Sequence, residues 1–278
     1  MKDSTNLPDL RVFPVNLLVP HEDCDPRRIE NLCRRLQEEQ RLKNPPIVAP
    51  IPETERYVIL DGANRVLAFQ AMNIPHIVAQ LVDYNNSGVV LDTWYHVVTD
   101  MDLEEFESAL ACSLGLCLED CNLEEAREAL AKREIVAYIV CESGVRKVCN
   151  PRESRQLDIH FLNQLVNVYR GKANIFRASN DIWEKQAPYY PGITAIVIFP
   201  RYKPEDILLV ARNDDKIPTG ITRHIIPYRA VNINIPLSVL VANWSLEQKE
   251  AWLHDWLMER MAANAIRYYA ESTFTFDE

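Results

Sequence analysis

Residues Val58–Phe69 read VILDGANRVLAF. Three apolar residues end a strand, Asp61-Gly62 turns the chain, and the apolar spacing that follows is helical. A strand that turns directly into a helix offers backbone N–H groups at the positive end of the helix dipole, which suits an anion. Gly62 permits close approach of a ligand. Arg65, in the first helical turn, carries a two-pronged donor matched to phosphate oxygens. Asp61 would supply a carboxylate to a magnesium ion on those phosphates. A plain tight turn, with Arg65 paired to Asp61 on the surface, uses the same residues equally well, and the pattern alone does not choose.

Outward from this stretch the chain reads as a compact α/β unit over residues 11–84. A short strand covers 11–18. Asp25-Pro26 opens a helix, with an acid at the N-cap and proline at the first helical position. Ile29, Leu32, Cys33 and Leu36 then form one apolar stripe, ending near Gln40. Pro45-Pro46 resets the chain into a strand at IVAPI, RYVIL is the next strand, and a helix over 64–72 stops at Asn73 and Pro75. HIVAQLVDY is another strand, and residues 85–88 form a turn. Beyond it the pattern predicts a strand over 89–98, helices near 102–115 and 122–132, and a hairpin over 134–149 turning at Ser143-Gly144. A helix over 156–169, a strand at AIVIF, a helix over 204–212 and a terminal helix over 245–269 complete the expectation. Trp252 and Trp256, four residues apart, would pack that last helix onto the body or onto a second copy in a homodimer. The division expected is 1–100 and 101–278.

Composition narrows the classes. With 278 residues, 47% of them hydrophobic, the chain can build a full core without disulfides or metal. No apolar run reaches the roughly 20 residues of a membrane span, and the first ten residues lack a signal peptide's apolar segment. Seven cysteines, without a CxxC pair, suit a reduced cytoplasmic protein. Cys112, Cys117 and Cys121, spaced five and four apart on an expected helix without a histidine at ligand distance, read as helical core or surface thiols rather than a metal or haem site. The net charge of −10 disfavours a protein that grips phosphate backbones.

Several stretches together resemble the free-serine kinases of the ParB/sulfiredoxin superfamily. In the first 84 residues they are LVPHE (Leu18–Glu22), NPPIV (Asn44–Val48) and YVILDGANR (Tyr57–Arg65). DTWYHVV (Asp92–Val98) is similar to a TWYP-like segment of the archaeal serine kinase. GITRHIIPY (Gly220–Tyr228) is similar to that family's TTRHVLPF, and VNINIPLSVL continues the likeness. The matches keep their order over most of the chain, weakly over 100–200. Where those kinases carry His-His this chain has Ala63-Asn64, a pair that resembles the siderophore-pathway serine kinases.

The resemblance implies an α/β (α+β) fold, with a ParB/sulfiredoxin-like nucleotide-binding domain followed by a second mixed α/β domain. It also implies phosphorylation of free L-serine by ATP or ADP with Mg²⁺, giving O-phospho-L-serine. On it, Glu22 is the catalytic base, an unpaired carboxylate that would accept the hydroxyl proton; without it, Glu22 is an acid ahead of the N-cap at Asp25. Asp61, Gly62, Ala63, Asn64 and Arg65 would hold the nucleotide phosphates, with Asp61 on the metal. Thr222, Arg223 and His224 would hold serine, Arg223 on its carboxylate, with Trp94 lining the site.

Other branches of the superfamily fit less well. A DNA-partitioning protein needs a basic helix-turn-helix, yet residues 102–132 hold nine acids against Arg127 and Lys132. Sulfiredoxin chemistry needs a cysteine where Ala63 stands. The competing class is a nucleotide-sensing transcriptional regulator without kinase chemistry, for which a Thr-Arg-His amino-acid clamp has no use.

Overall fold

The computed structural model describes residues 7–84, 88–112, 117–149 and 159–269. The expected turn at 85–88 lies, except for Gly88, outside them, as does the start of the helix expected from 156. The described residues form a mixed α/β fold in two compact units. The first takes those up to Val19, Cys24–Gly88 and those from Ile226 onward; the second takes Pro20–Asp23 and Val89–Ile225.

The first unit is built on a five-stranded sheet in the order Asp9–Pro14, His76–Leu81, Ile47–Pro50, Tyr57–Asp61, Leu18–Pro20. Ile47–Pro50 runs antiparallel to Tyr57–Asp61 and parallel to His76–Leu81. The helix Pro26–Glu39 begins as the sequence predicts: the Asp25 carboxylate accepts from Arg27 N, and Gln40 ends it in the left-handed region at φ 52°. Its stripe of Ile29, Leu32, Cys33 and Leu36 packs on a core that holds Val12, Phe13, Val48, Ile59, Phe69 and Val78. Burying each such aliphatic or aromatic side chain contributes about 1.5–3 kcal/mol.

The same core contains Ile233, Ile235, Leu237, Leu240 and Leu253, all from the last 53 residues. The helix Leu246–Ala262 meets the Asp9–Pro14 strand, where the Glu250 carboxylate accepts from Val12 N at 2.7 Å. Trp252 and Trp256 stack on each other 6.4 Å apart and lie against this core. The division therefore differs from one cut near residue 100: the C-terminal segment completes the first unit. This helix also stops at Ala262, short of the expected 269.

The second unit carries an antiparallel six-stranded sheet in the order Asn174–Ala178, Tyr95–Thr99, Ile193–Ile198, Ala137–Cys141, Gly144–Cys149, Cys117–Cys121. Val97, Tyr138, Ile196, Ala126 and Leu130 share its core, the last two from the helix Leu123–Ala131. The expected single strand over 89–98 is two strands. Val90–Thr93 pairs with Thr222–Ile225 in a separate ladder, and Tyr95–Thr99 enters the large sheet. At the break Trp94 N donates to Ile221 O at 2.7 Å, so the ladder to 222–225 diverts the backbone there. The cysteine segment also differs: Cys117–Cys121 is an edge strand, and of Cys112, Cys117 and Cys121 the first alone sits on a helix, at the end of Leu103–Cys112.

Candidate active site

In the first unit, Asp61 ends a strand and Gly62 stands in the left-handed region, at φ 86°, as the N-cap of the helix Ala63–Ala71. Gly62 O accepts from Arg65 N at 2.9 Å and Val66 N at 3.2 Å, so the turn winds directly into the helix. A Cβ at position 62 would lie 3.0 Å from Pro46 Cα and Cβ and from Arg65 Cζ. Glycine is required here by conformation and by space. Ala63 and Asn64 form the first turn, and the Asn64 Oδ1 atom is buried without a hydrogen-bond partner.

Arg65 is placed differently from the expected phosphate fork. Its Nη1 donates to Asn44 O at 2.7 Å and Pro45 O at 2.9 Å, and its Nη2 donates to Asp61 Oδ2 at 3.0 Å. The guanidinium thus ties the turn to the 44–46 segment. A second cation was not foreseen. Arg229 also donates to Asp61 Oδ2, and its side chain is 41% exposed. Its backbone is fixed from both sides: Gln80 donates to Tyr228 O and accepts from Ala230 N, while Asn44 Oδ1 accepts from Asn232 N. The only sequence signal for Arg229 was its place just after the Gly220–Tyr228 stretch.

The other expected residues meet in the second unit. Glu22 is not an unpaired carboxylate. Its Oε2 accepts from Gly220 N at 2.7 Å; its Oε1 accepts from Ile221 N at 3.2 Å, Thr222 N at 2.6 Å and the Thr222 hydroxyl at 2.6 Å. The backbone on either side is pinned as well, because Ile217 N donates to His21 O and Asp23 N donates to Ile217 O. Asp23 in turn accepts from Arg170 Nη1 at 3.0 Å.

Thr222 Oγ1 also lies 2.9 Å from Nε2 of His21, a residue 4% exposed. A hydroxyl has one proton, and an ionised carboxylate only accepts. The Thr222 proton therefore goes to Glu22, and His21 must donate through Nε2. A chain His21→Thr222→Glu22 results, and sequence reasoning did not single out His21 although it sits in the quoted Pro-His-Glu element.

Strand alternation divides the Thr-Arg-His triplet. Thr222 and His224 point to one face, where the His224 ring meets the His21 ring edge-on at 5.3 Å. Arg223 points to the other, where its guanidinium lies 4.2 Å over the Trp94 ring and 3.8 Å from the Asp92 carboxylate. The three side chains of the triplet are therefore divided between two faces of the strand.

Beneath the 219–222 turn lies His96, 1% exposed, with Nδ1 2.9 Å from the Tyr169 hydroxyl. Burial, and then the Arg177 charge, push its pKa down to about 4, against the backbone groups of Gly220 and Thr219. It is a neutral support for the turn that holds Glu22.

The fold matches that of solved free serine kinases, and the chain has sequence relatives named as L-serine kinases. A glutamate-to-glutamine mutant of a free serine kinase, solved in complex with AMP, superposes with a TM-score of 0.73 at 19% identity, covering 85% of this chain and 95% of that one. SbnI with a C-terminal truncation, from Staphylococcus aureus, gives 0.70 at 19% identity, covering 91% and 97%. Among sequence relatives, an ATP-dependent L-serine kinase of Staphylothermus marinus is 26% identical over 244 residues, 82% of this chain and 90% of that protein. The ATP-dependent L-serine kinase SbnI of Staphylococcus aureus is 20% identical over 274 residues, 97% of both. The ADP-dependent L-serine kinase SerK of Thermococcus kodakarensis is 21% identical over 239 residues, 84% and 93%. No protein-family model matches the chain.

Proposed function

We propose that the protein is a free L-serine kinase, transferring the terminal phosphoryl group of ATP or ADP to the serine hydroxyl. The reading is supported by the relatives named as L-serine kinases and carried by one local observation: a glutamate fixed by three backbone amides and a threonine in a strand that also bears Arg223 and His224. In the transfer, the serine Oγ–P bond forms and the bond from that phosphorus to the bridging oxygen breaks. The nucleotide leaves one phosphate shorter, and the hydroxyl proton passes to the Glu22 carboxylate. Fixing the base before substrate arrives lowers the entropy cost of reaching the reactive geometry. Arg223, with its guanidinium over the Trp94 ring, is the partner assigned to the serine carboxylate, and His224 lines the opposite face.

The phosphate end of the reading belongs to the first unit, proposed as a ParB/sulfiredoxin-like nucleotide-binding domain. The amides of the Gly62–Asn64 turn and Arg229 are assigned to the phosphates, and Arg65 to holding that turn in shape. Asp61 fits a magnesium ligand: its side chain is 35% exposed and both of its ion pairs fall on Oδ2. Magnesium there would neutralise phosphate charge, as in other phosphoryl transferases. On the likeness of Ala63-Asn64 to the siderophore-pathway kinases, the O-phospho-L-serine formed would feed siderophore assembly.

The deciding assay incubates the protein with L-serine, Mg²⁺ and either ATP or ADP, and follows O-phosphoserine by phosphorus NMR. Product with one nucleotide and not the other names the donor. Absence of product with both, in protein that still binds nucleotide, would turn the assignment toward a nucleotide sensor.

A further inference from the structure

We propose that Cys117, Glu119 and Cys149 form a binding site for a thiophilic divalent cation, zinc before others, at the edge of the six-stranded sheet. The two cysteines stand directly opposite each other in the antiparallel pairing of Cys117–Cys121 with Gly144–Cys149. Glu119 lies two residues along from Cys117, so alternation puts all three side chains on one face of the ribbon. Their ligand atoms all fall within 4.8 Å of one another. Zinc–sulfur bonds of about 2.3 Å in tetrahedral geometry set ligand atoms about 3.7 Å apart, a closure that side-chain rotation supplies.

The chemistry of the donors selects the metal. Two thiolates exclude magnesium and calcium, which take oxygen ligands, and favour zinc and its soft neighbours. Three protein ligands leave a fourth position to water, the open form of a zinc site. Cys117 is exposed and Cys149 half-buried, so the ion reaches the site from solvent. Three groups that could each become an anion crowd one another here. A divalent cation resolves that conflict: two S–H bonds break, two metal–sulfur bonds form, and two protons leave to solvent.

The test uses the full chain, reduced and stripped with a chelator, titrated first with Co²⁺ and then with Zn²⁺. A thiolate-to-cobalt charge-transfer band that saturates at one equivalent and is displaced by Zn²⁺, but not by excess Mg²⁺, is the expected result. Calorimetry should then show Cys117→Ser and Cys149→Ser weakening zinc by at least the about 10–100-fold that loss of a supporting neighbour costs. Glu119→Gln, on the exposed edge and harmless to the fold, should weaken it as well, while Cys33→Ser leaves it unchanged. The proposal is overturned if the band survives in the Cys117→Ser/Cys149→Ser double variant. It is equally overturned if the reduced protein takes up no zinc at micromolar concentration and the two thiols merely join as a disulfide on oxidation.

Discussion

At the scale of single residues, Glu22 joins a proposed role as base to an observed one as the hydrogen-bonded anchor of 220–222. A free carboxylate could be changed to glutamine without cost to the fold, but this one accepts four hydrogen bonds from 220–222. Glutamine must turn an NH₂ group toward at least one of those donors. Glu22→Gln should therefore lose about 10²–10⁴-fold in kcat through loss of the base, and also melt several degrees lower through about 1–3 kcal/mol of unmet hydrogen bonding. Wild-type kcat in the folded variant would remove Glu22 from the chemistry; an unchanged melting temperature would deny the hydrogen bonds. The two arginines at Asp61 separate in the same manner. Arg65 spends its donors on Asn44 O, Pro45 O and Asp61, so Arg65→Ala should lower the melting temperature before anything else. Arg229→Ala should instead raise the nucleotide Kd and leave the melting temperature close to wild type. Calorimetry and thermal melts on both variants check this, and the reverse outcome would exchange their roles.

Among the elements, the strand Tyr95–Thr99 and the 219–222 turn make a pH prediction. His96 is depressed to about 4 in the fold, below the value of about 6.5 for an unfolded histidine. Between those two values the unfolded chain takes up a proton that the folded chain refuses. The contribution is thus complete above pH 6.5 and is lost as pH falls toward 4, by on the order of 3 kcal/mol. Urea midpoints from pH 7 to pH 4 should fall less steeply for His96→Gln than for wild type, and parallel lines would contradict the buried neutral ring. None of this was legible in the sequence, where His96 is one letter of a β-rich run. What was legible had local causes: Asp25-Pro26 as a helix start, Ser143-Gly144 as a hairpin turn, Gly62 as a left-handed junction. The strand Cys117–Cys121 was missed because Glu119 and Asp120 in its centre are residue types that strands disfavour, and only pairing with Gly144–Cys149 makes the segment extended. His21 and Arg229 were missed for a related reason: their partners, Thr222 and Asp61, are 201 and 168 residues away in the chain.

On the scale of the whole chain, the first unit is discontinuous, and that decides where damage at the C-terminus should be felt. A composition reading places a boundary near 100 because the Ile233–Leu240 stretch looks like any core segment and nothing local says which core it joins. The structure puts Ile235, Leu240 and Leu253 beside Val12 and Val78. Leu253 is 1% exposed, so Leu253→Ala removes about 2–5 kcal/mol from the unit that holds the Asp61-Gly62 turn. Hydrogen exchange on the variant should show lost protection in the strands Asp9–Pro14 and His76–Leu81, at the start of the chain. The strand Ala137–Cys141, in the second unit, should keep its protection under the same conditions. Nucleotide, if it binds the first unit, should restore part of the protection in those strands and L-serine alone should not, since a ligand stabilises the unit that binds it. Deprotection confined to Ala137–Cys141, with Asp9–Pro14 untouched, would mean that the terminal helix belongs energetically to the second unit, and would return the division of the chain to a single cut.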